Sequence, residues 1–209
     1  MTVPTDVHTA AGEGDHGRTM ARPWQWMAVS LVAALVGAAL AVTLLVPSTP
    51  GDESAEAGFA RDMSTHHAQA VEMAGLLQER TTDEELLVLA EDITLSQQAQ
   101  IGQMSGWLDL WGLPAASTAP PMAWADMGSM PMMGMATSGM LQELRRADGV
   151  AAETLFLDLM IEHHRGGVQM SEALLDRSDH AVVSRLAEAI IRSQSSEIQL
   201  MERLLAERS

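Results

Sequence analysis

Residues 59–74, Phe59-Ala-Arg-Asp-Met-Ser-Thr-His-His-Ala-Gln-Ala-Val-Glu-Met-Ala74, and residues 156–171, Phe156-Leu-Asp-Leu-Met-Ile-Glu-His-His-Arg-Gly-Gly-Val-Gln-Met-Ser171, carry one pattern at an offset of 97 positions. Phe59, Met63, His66, His67, Val71 and Met73 recur as Phe156, Met160, His163, His164, Val168 and Met170. The same offset matches a second block, in which Ala90, Glu91, Ile93, Ser96, Gln97, Ile101, Met104 and Leu108 recur as Ala187, Glu188, Ile190, Ser193, Gln194, Ile198, Met201 and Leu205. One offset for both blocks means two copies of one supersecondary unit with equal connections.

Each copy reads as helix, tight turn, helix. Apolar residues at helical spacing run from about Glu53 to Glu79, and Thr82-Asp83-Glu84-Glu85 then forms a capping box for a second helix. That helix stops near Trp111, where Gly112 and Pro114 follow. In the second copy a helix from about Val150 to Asp176 precedes Ser178-Asp179, an N-cap pair for a last helix ending near Arg208. No segment outside residues 24–46 alternates with period two over a useful length, so strands are not expected. The predicted fold is all-α, a ferritin-like four-helix bundle over residues 55–208 built from a duplicated helical hairpin. Hairpin 1 covers about residues 55–111, a methionine-rich crossover 112–140, and hairpin 2 about 150–208.

Composition narrows the chemistry. Among 209 residues there are 16 Met and 7 His but no Cys and no Lys. Thiolate nucleophiles, disulfides, Cys-type zinc sites and iron–sulfur clusters are therefore excluded. Any metal must use His, Met or carboxylate. A formal charge of −16 disfavours nucleic acid, whose binding needs Lys and Arg at phosphates.

Residues 24–46 carry no charge and consist mainly of Ala, Val and Leu. At ~1.5 Å of rise per residue such a helix crosses the ~30 Å hydrocarbon core. Trp24 and Trp26 stand at its start, Arg18 and Arg22 precede it, and acidic Asp52, Glu53 and Glu56 follow. The charge bias predicts a single-pass protein of the cell membrane, with a cytoplasmic tail 1–23, an anchor 24–46, a linker 47–54 and the bundle on the extracytoplasmic side. The rival is a cleaved signal peptide, since Ala55-Glu56-Ala57 has the small-x-small form. The apolar run, however, exceeds the ~7–15 residues of a signal core.

At ~100° per residue, Phe59, Met63, His66, His67, Ala70, Met73, Ala74 and Leu77 share an arc of roughly 120°, the core-facing stripe of an amphipathic helix. His163 and His164 occupy the same place in the second copy. Adjacent histidines cannot both point at the bundle axis, so one of each pair faces it and the other turns to a neighbouring helix. A lone Met or His on such a stripe is ordinary core. Four imidazoles together need polar partners that the surrounding Ala, Val and Leu do not supply.

A metal would be such a partner, and imidazole with thioether suits copper, Cu(I) above all. Di-iron proteins of this fold place Glu-x-x-His on two helices. Here Met63-x-x-His66 and Met160-x-x-His163 put a soft sulfur where that hard carboxylate stands. Glu162 reads as surface or outer-sphere, and Ser96-Gln97 and Ser193-Gln194 as either imidazole partners or ordinary surface polar residues.

The crossover contains Met122, Met127, Met130, Met132, Met133, Met135 and, just beyond, Met140, separated by Gly and Pro that break helical periodicity. Leu or Ala would serve a linker equally well, so Met127, Met130, Met132, Met133 and Met135 join the candidate copper ligands. Trp124 is a candidate cap on such an ion.

The doubled His-His motif resembles the domain of unknown function 305 family, over roughly residues 55–208. The resemblance implies an exported ferritin-like bundle, with some members similar to copper metallochaperones or copper-resistance proteins. Transferred by position, it points to Met63, His66, His67, Met73, Met160, His163, His164 and Met170, with Met104 and Met201 behind them. The second motif departs from the first at Gly166-Gly167, which replaces Gln69-Ala70 and suggests close packing or ligand approach.

The expected function is copper binding for tolerance or delivery, with copper ions and a delivery or export protein as partners and no catalysis required. Two alternatives stand beside it: a metal-dependent oxidase on the same bundle, and a non-metal module that binds another envelope protein through its acidic surface.

Overall fold

The computed structural model describes residues 27–28, 30–37, 49–125 and 132–208. The chain divides into two units, residues 1–47 and 48–209. In the first, residues 27–28 and 30–37 are helical, with Met27, Leu31, Val32, Leu35 and Val36 exposed. The cytoplasmic tail and the rest of the expected span 24–46 lie outside the described residues. Among the described residues no helix is long and apolar enough to cross a membrane.

The second unit is all-helical among its described residues. It comprises α1 (Ala55–Gln78), α2 (Glu84–Trp111), a 3-10 turn (Ala123–Ala125), α3 (Ser138–Arg146), α4 (Gly149–Leu175) and α5 (Ala181–Ala206). α1 packs along α2 and α4 along α5, and the two hairpins meet mainly through α1 and α4. The short α3, which lies at the end of the crossover, rests on α1 and α4.

Local chemistry sets the helix ends. The Ser54 side chain accepts from the Ala57 N–H to start α1. For α2 the cap is Asp83, one residue beyond the expected Thr82, because its carboxylate reaches both the Glu85 and Leu86 N–H groups. Gly112 closes α2 at φ 68°, a left-handed conformation in which its N–H returns to the Leu108 and Asp109 carbonyls.

α5 departs from expectation, since its cap position is His180, which makes no capping side-chain bond. Ser178 is used elsewhere: its hydroxyl accepts from the His180 N–H and bonds to Glu56. α3 was not expected at all. It begins with the Thr137 side chain accepting from the Met140 N–H, and it buries Leu141 and Leu144.

The buried apolar residues form two clusters. The first includes Met73, Leu77, Leu86, Ile93, Phe156, Met160, Met201 and Leu204. The second includes Phe59, Met63, Met104, Leu108, Met170, Leu174, Val183 and Ile190. Along each long helix a polar interruption falls between them: His66 and His67 on α1, Gln97 on α2, His163 and His164 on α4, Gln194 on α5. A buried polar layer thus crosses the middle of the bundle.

The first cluster also has a polar boundary. Buried Glu153 accepts from the Thr81 hydroxyl at 2.6 Å and from Arg208 Nε at 3.0 Å, and Arg208 also pairs with Asp83, tying the end of α5 to the starts of α2 and α4.

Candidate metal centre

All four histidines of the doubled motif are fully buried, as are Gln97 and Gln194 to within 2%. At the centre the His66 and His163 rings face each other, with centroids 3.7 Å apart and planes 30° from parallel. Their chain neighbours turn away: the His67 and His164 centroids lie 6.4 and 6.3 Å from those of His66 and His163. His67 Nε2 is 2.6 Å from Gln100 Oε1 on α2, and His164 Nε2 is 2.6 Å from Glu197 Oε2 on α5. These two contacts are related by the same offset of 97 as the motif itself.

The methionines follow the same exchange. Each cluster takes one member of every related pair: Met63, Met104 and Met170 on one side of the polar layer, and Met160, Met201 and Met73 on the other. All six are fully buried. The polar layer therefore has buried thioethers in both of the apolar clusters that flank it.

The end of the crossover covers the centre. His66 Nε2 donates to the Met133 carbonyl at 3.0 Å, and Gln69 pairs with both the N–H and carbonyl of Ala136. Gly166 explains the departure in the second motif: a Cβ there would lie 2.0 Å from the Met133 carbonyl oxygen. Gly167 similarly makes room for Gln194, whose Oε1 would be 2.3 Å from an added Cβ. Met132, Met133 and Met135 are half-buried in this segment, whereas Met127 and Met130 lie outside the described residues.

Much of this layer lacks hydrogen-bond partners among the described residues. Nδ1 of His66, His67 and His164, both ring nitrogens of His163, and both amide atoms of Gln97 and Gln194 are unpaired. Leaving such groups buried and unpaired costs about 1–3 kcal/mol each. Burial also keeps His66, His67 and His163 neutral. It pushes His66 down to about 4, against the upward pull of the Met133 carbonyl, and His67 to about 3, helped by nearby His66. His163 is held well below the usual histidine range, first by burial and then by its proximity to His66. Neutral imidazoles with free lone pairs are the form that binds a transition metal.

Ser96 and Ser193 bond to the Ile93 and Ile190 carbonyls on their own helices, not to histidines. The polar partners of the outer imidazoles are Gln100 and Glu197, which sequence comparison passed over because the two copies differ in identity there. Glu162 pairs with Arg165 at the surface. Trp124, the expected cap on a crossover ion, donates its indole N–H to Asp62 at 2.9 Å and packs edge-on with Phe59. Met122 is fully buried at φ 61°, with its N–H on the same Asp62 carboxylate, so it anchors the crossover's first half. Among the described residues no three His, Asp or Glu side chains converge as a set of metal ligands.

The model of a family described as Domain of unknown function (DUF305) matches residues 56–205. A solved DUF305 protein of Streptomyces coelicolor, described as secreted, is 52% identical, with 76% of this chain and 96% of that one covered and a TM-score of 0.73. A DUF305 fragment from Deinococcus radiodurans is 38% identical, with 78% and 99% covered and a TM-score of 0.64. CopM in its Cu(II)-bound form is 28% identical, with 75% and 98% covered and a TM-score of 0.60. The Cu(I)-bound form of CopM gives 26%, 74%, 96% and 0.58. No curated protein matches.

Proposed function

We propose that this chain, which belongs to the DUF305 family, binds copper in the polar layer of a ferritin-like bundle and stores it or hands it on as Cu(I). The observation that carries this reading is the set of unpaired imidazole nitrogens buried between two clusters that each hold one methionine of every repeat-related pair. Imidazole and thioether together select a soft transition metal, and a bound ion would turn the cost of those unpaired nitrogens into bonds. CopM, a relative over most of its length, has been solved with Cu(I) and with Cu(II). The half-buried Met132, Met133 and Met135 act as further soft donors where the crossover covers the layer.

In this reading residues 24–46 anchor the chain in the cell membrane, the tail is cytoplasmic and the bundle works outside, where thioether and imidazole survive conditions that would oxidise thiols. The copper donor or acceptor is then an exported partner. Metal analysis of the full chain purified from copper-supplemented cells tests the proposal. Bound copper and a copper-dependent rise in Tm are expected, since a ligand of the native state stabilises it. A metal-free product whose Tm ignores copper contradicts the proposal and favours a non-metal interaction module.

A further inference from the structure

Resting on the copper reading, we infer that Gln100, Glu197 and the Met133 carbonyl are positioning groups that fix three imidazoles with the proton on Nε2, leaving Nδ1 as the nitrogen that binds metal. The Met133 oxygen is a carbonyl and can only accept, so His66 carries its proton on Nε2. The Glu197 carboxylate accepts from His164 Nε2, and the Gln100 carbonyl oxygen accepts from His67 Nε2. In all three rings the remaining nitrogen, Nδ1, is buried and unpaired among the described residues. Three imidazoles on two helices, held by acceptors from a loop and two further helices, therefore present the same atom. His163, whose ring lies against that of His66, has neither nitrogen hydrogen-bonded among the described residues.

A metal-binding histidine held by an oxygen acceptor on its other nitrogen is fixed in tautomer and ring orientation and is made more basic, most strongly by a carboxylate. The two halves are thereby unequal. Glu197 makes His164 the stronger donor, while the neutral amide of Gln100 only orients His67. Glu197 is part-exposed, with 21% of its side chain accessible, so it is replaceable without opening the core.

The test is imidazole 15N NMR of the full chain before and after Cu(I), with Glu197→Gln and Glu197→Leu. Before copper, His66, His67 and His164 should show protonated Nε2 and unprotonated Nδ1. Cu(I) should then shift Nδ1. Glu197→Leu should release the His164 tautomer and weaken Cu(I) binding by roughly 10–100-fold, the usual effect of losing an outer partner. Glu197→Gln, which keeps an acceptor, should restore the tautomer and part of the affinity. Protonated Nδ1 in apo His67 and His164, or copper shifts at Nε2, would overturn the inference while leaving copper binding intact. Absence of any copper-induced shift at the four histidines would instead defeat the copper reading on which it rests.

Discussion

The imidazoles of His66 and His163, 97 residues apart in sequence, stack at 3.7 Å in the middle of the bundle, where the two hairpins meet. Neither His163 nitrogen has a hydrogen-bond partner among the described residues. A purely structural core would not keep such a pair, since an apolar side chain of similar size avoids the desolvation cost. His163→Leu should therefore raise the stability of the metal-free protein by about 1–3 kcal/mol while weakening copper binding. Urea unfolding and a Cu(I) titration of the same variant check both halves. A metal-free variant less stable than the parent would show that His163 stabilises the fold by itself.

Stability should fall on mild acidification. His66 and His67 are held at about 4 and about 3 in the folded chain, below the unfolded value near 6.5. The unfolded state then takes up protons first, so their contribution is complete above about pH 6.5. It declines as pH falls and is lost as pH passes the folded values. The stretch from about pH 6.5 to 5 lies above the ordinary carboxylate range, so the histidines dominate it. Urea midpoints across pH 8 to 4 should decline in that window, more steeply than in His66→Leu/His67→Leu. A flat profile, or identical slopes, would contradict the burial argument.

Copper affinity, by contrast, should change little between about pH 8 and 6. Protons compete poorly for imidazoles already kept neutral by burial. A steep loss of affinity centred on the ordinary histidine range would mean that solvent-exposed imidazoles hold the metal.

Two glycine variants separate close approach from helix propensity. Gly166→Ala places its Cβ 2.0 Å from the Met133 carbonyl oxygen, so backbone must move and the crossover lifts from His66. A loss of about 1–3 kcal/mol is expected. Gly102→Ala on α2 meets nothing within 4 Å and should gain about 1 kcal/mol. Denaturant midpoints should move in opposite directions, and equal shifts would count against the crossover's seat.

The crossover sulfurs are testable without deleting the segment, whose ends are tied to Asp62 and Gln69. Replacing Met132, Met133 and Met135 together by Leu conserves volume and should leave Tm close to the parent's. Fewer Cu(I) ions per chain or a lower affinity is expected. An unchanged titration would confine copper to the helices.

Period and repetition made the helices and the buried histidines legible in the sequence. The stripe through Phe59, Met63 and His66 is an angular fact about a helix, and its second copy marks the same buried face on α4. Gln100 and Glu197 were hidden because the two copies differ in identity there, although both oxygens accept from the same imidazole atom. α3 escaped because Leu141 and Leu144 make a single turn of apolar spacing, too short for a periodic signal. The bond from the Trp124 indole N–H to Asp62 was not legible, because the two residues stand 62 positions apart in the chain and share no local pattern.

The central claim, that the buried imidazole layer is a copper site, is tested most directly by competitive Cu(I) titration of the full chain against a variant with His66, His67, His163 and His164 all changed to Ala. The parent should bind tightly, and the variant should lose more than about 100-fold in affinity, beyond the range of an outer-partner effect. Equal stoichiometry and affinity in the two proteins would contradict it.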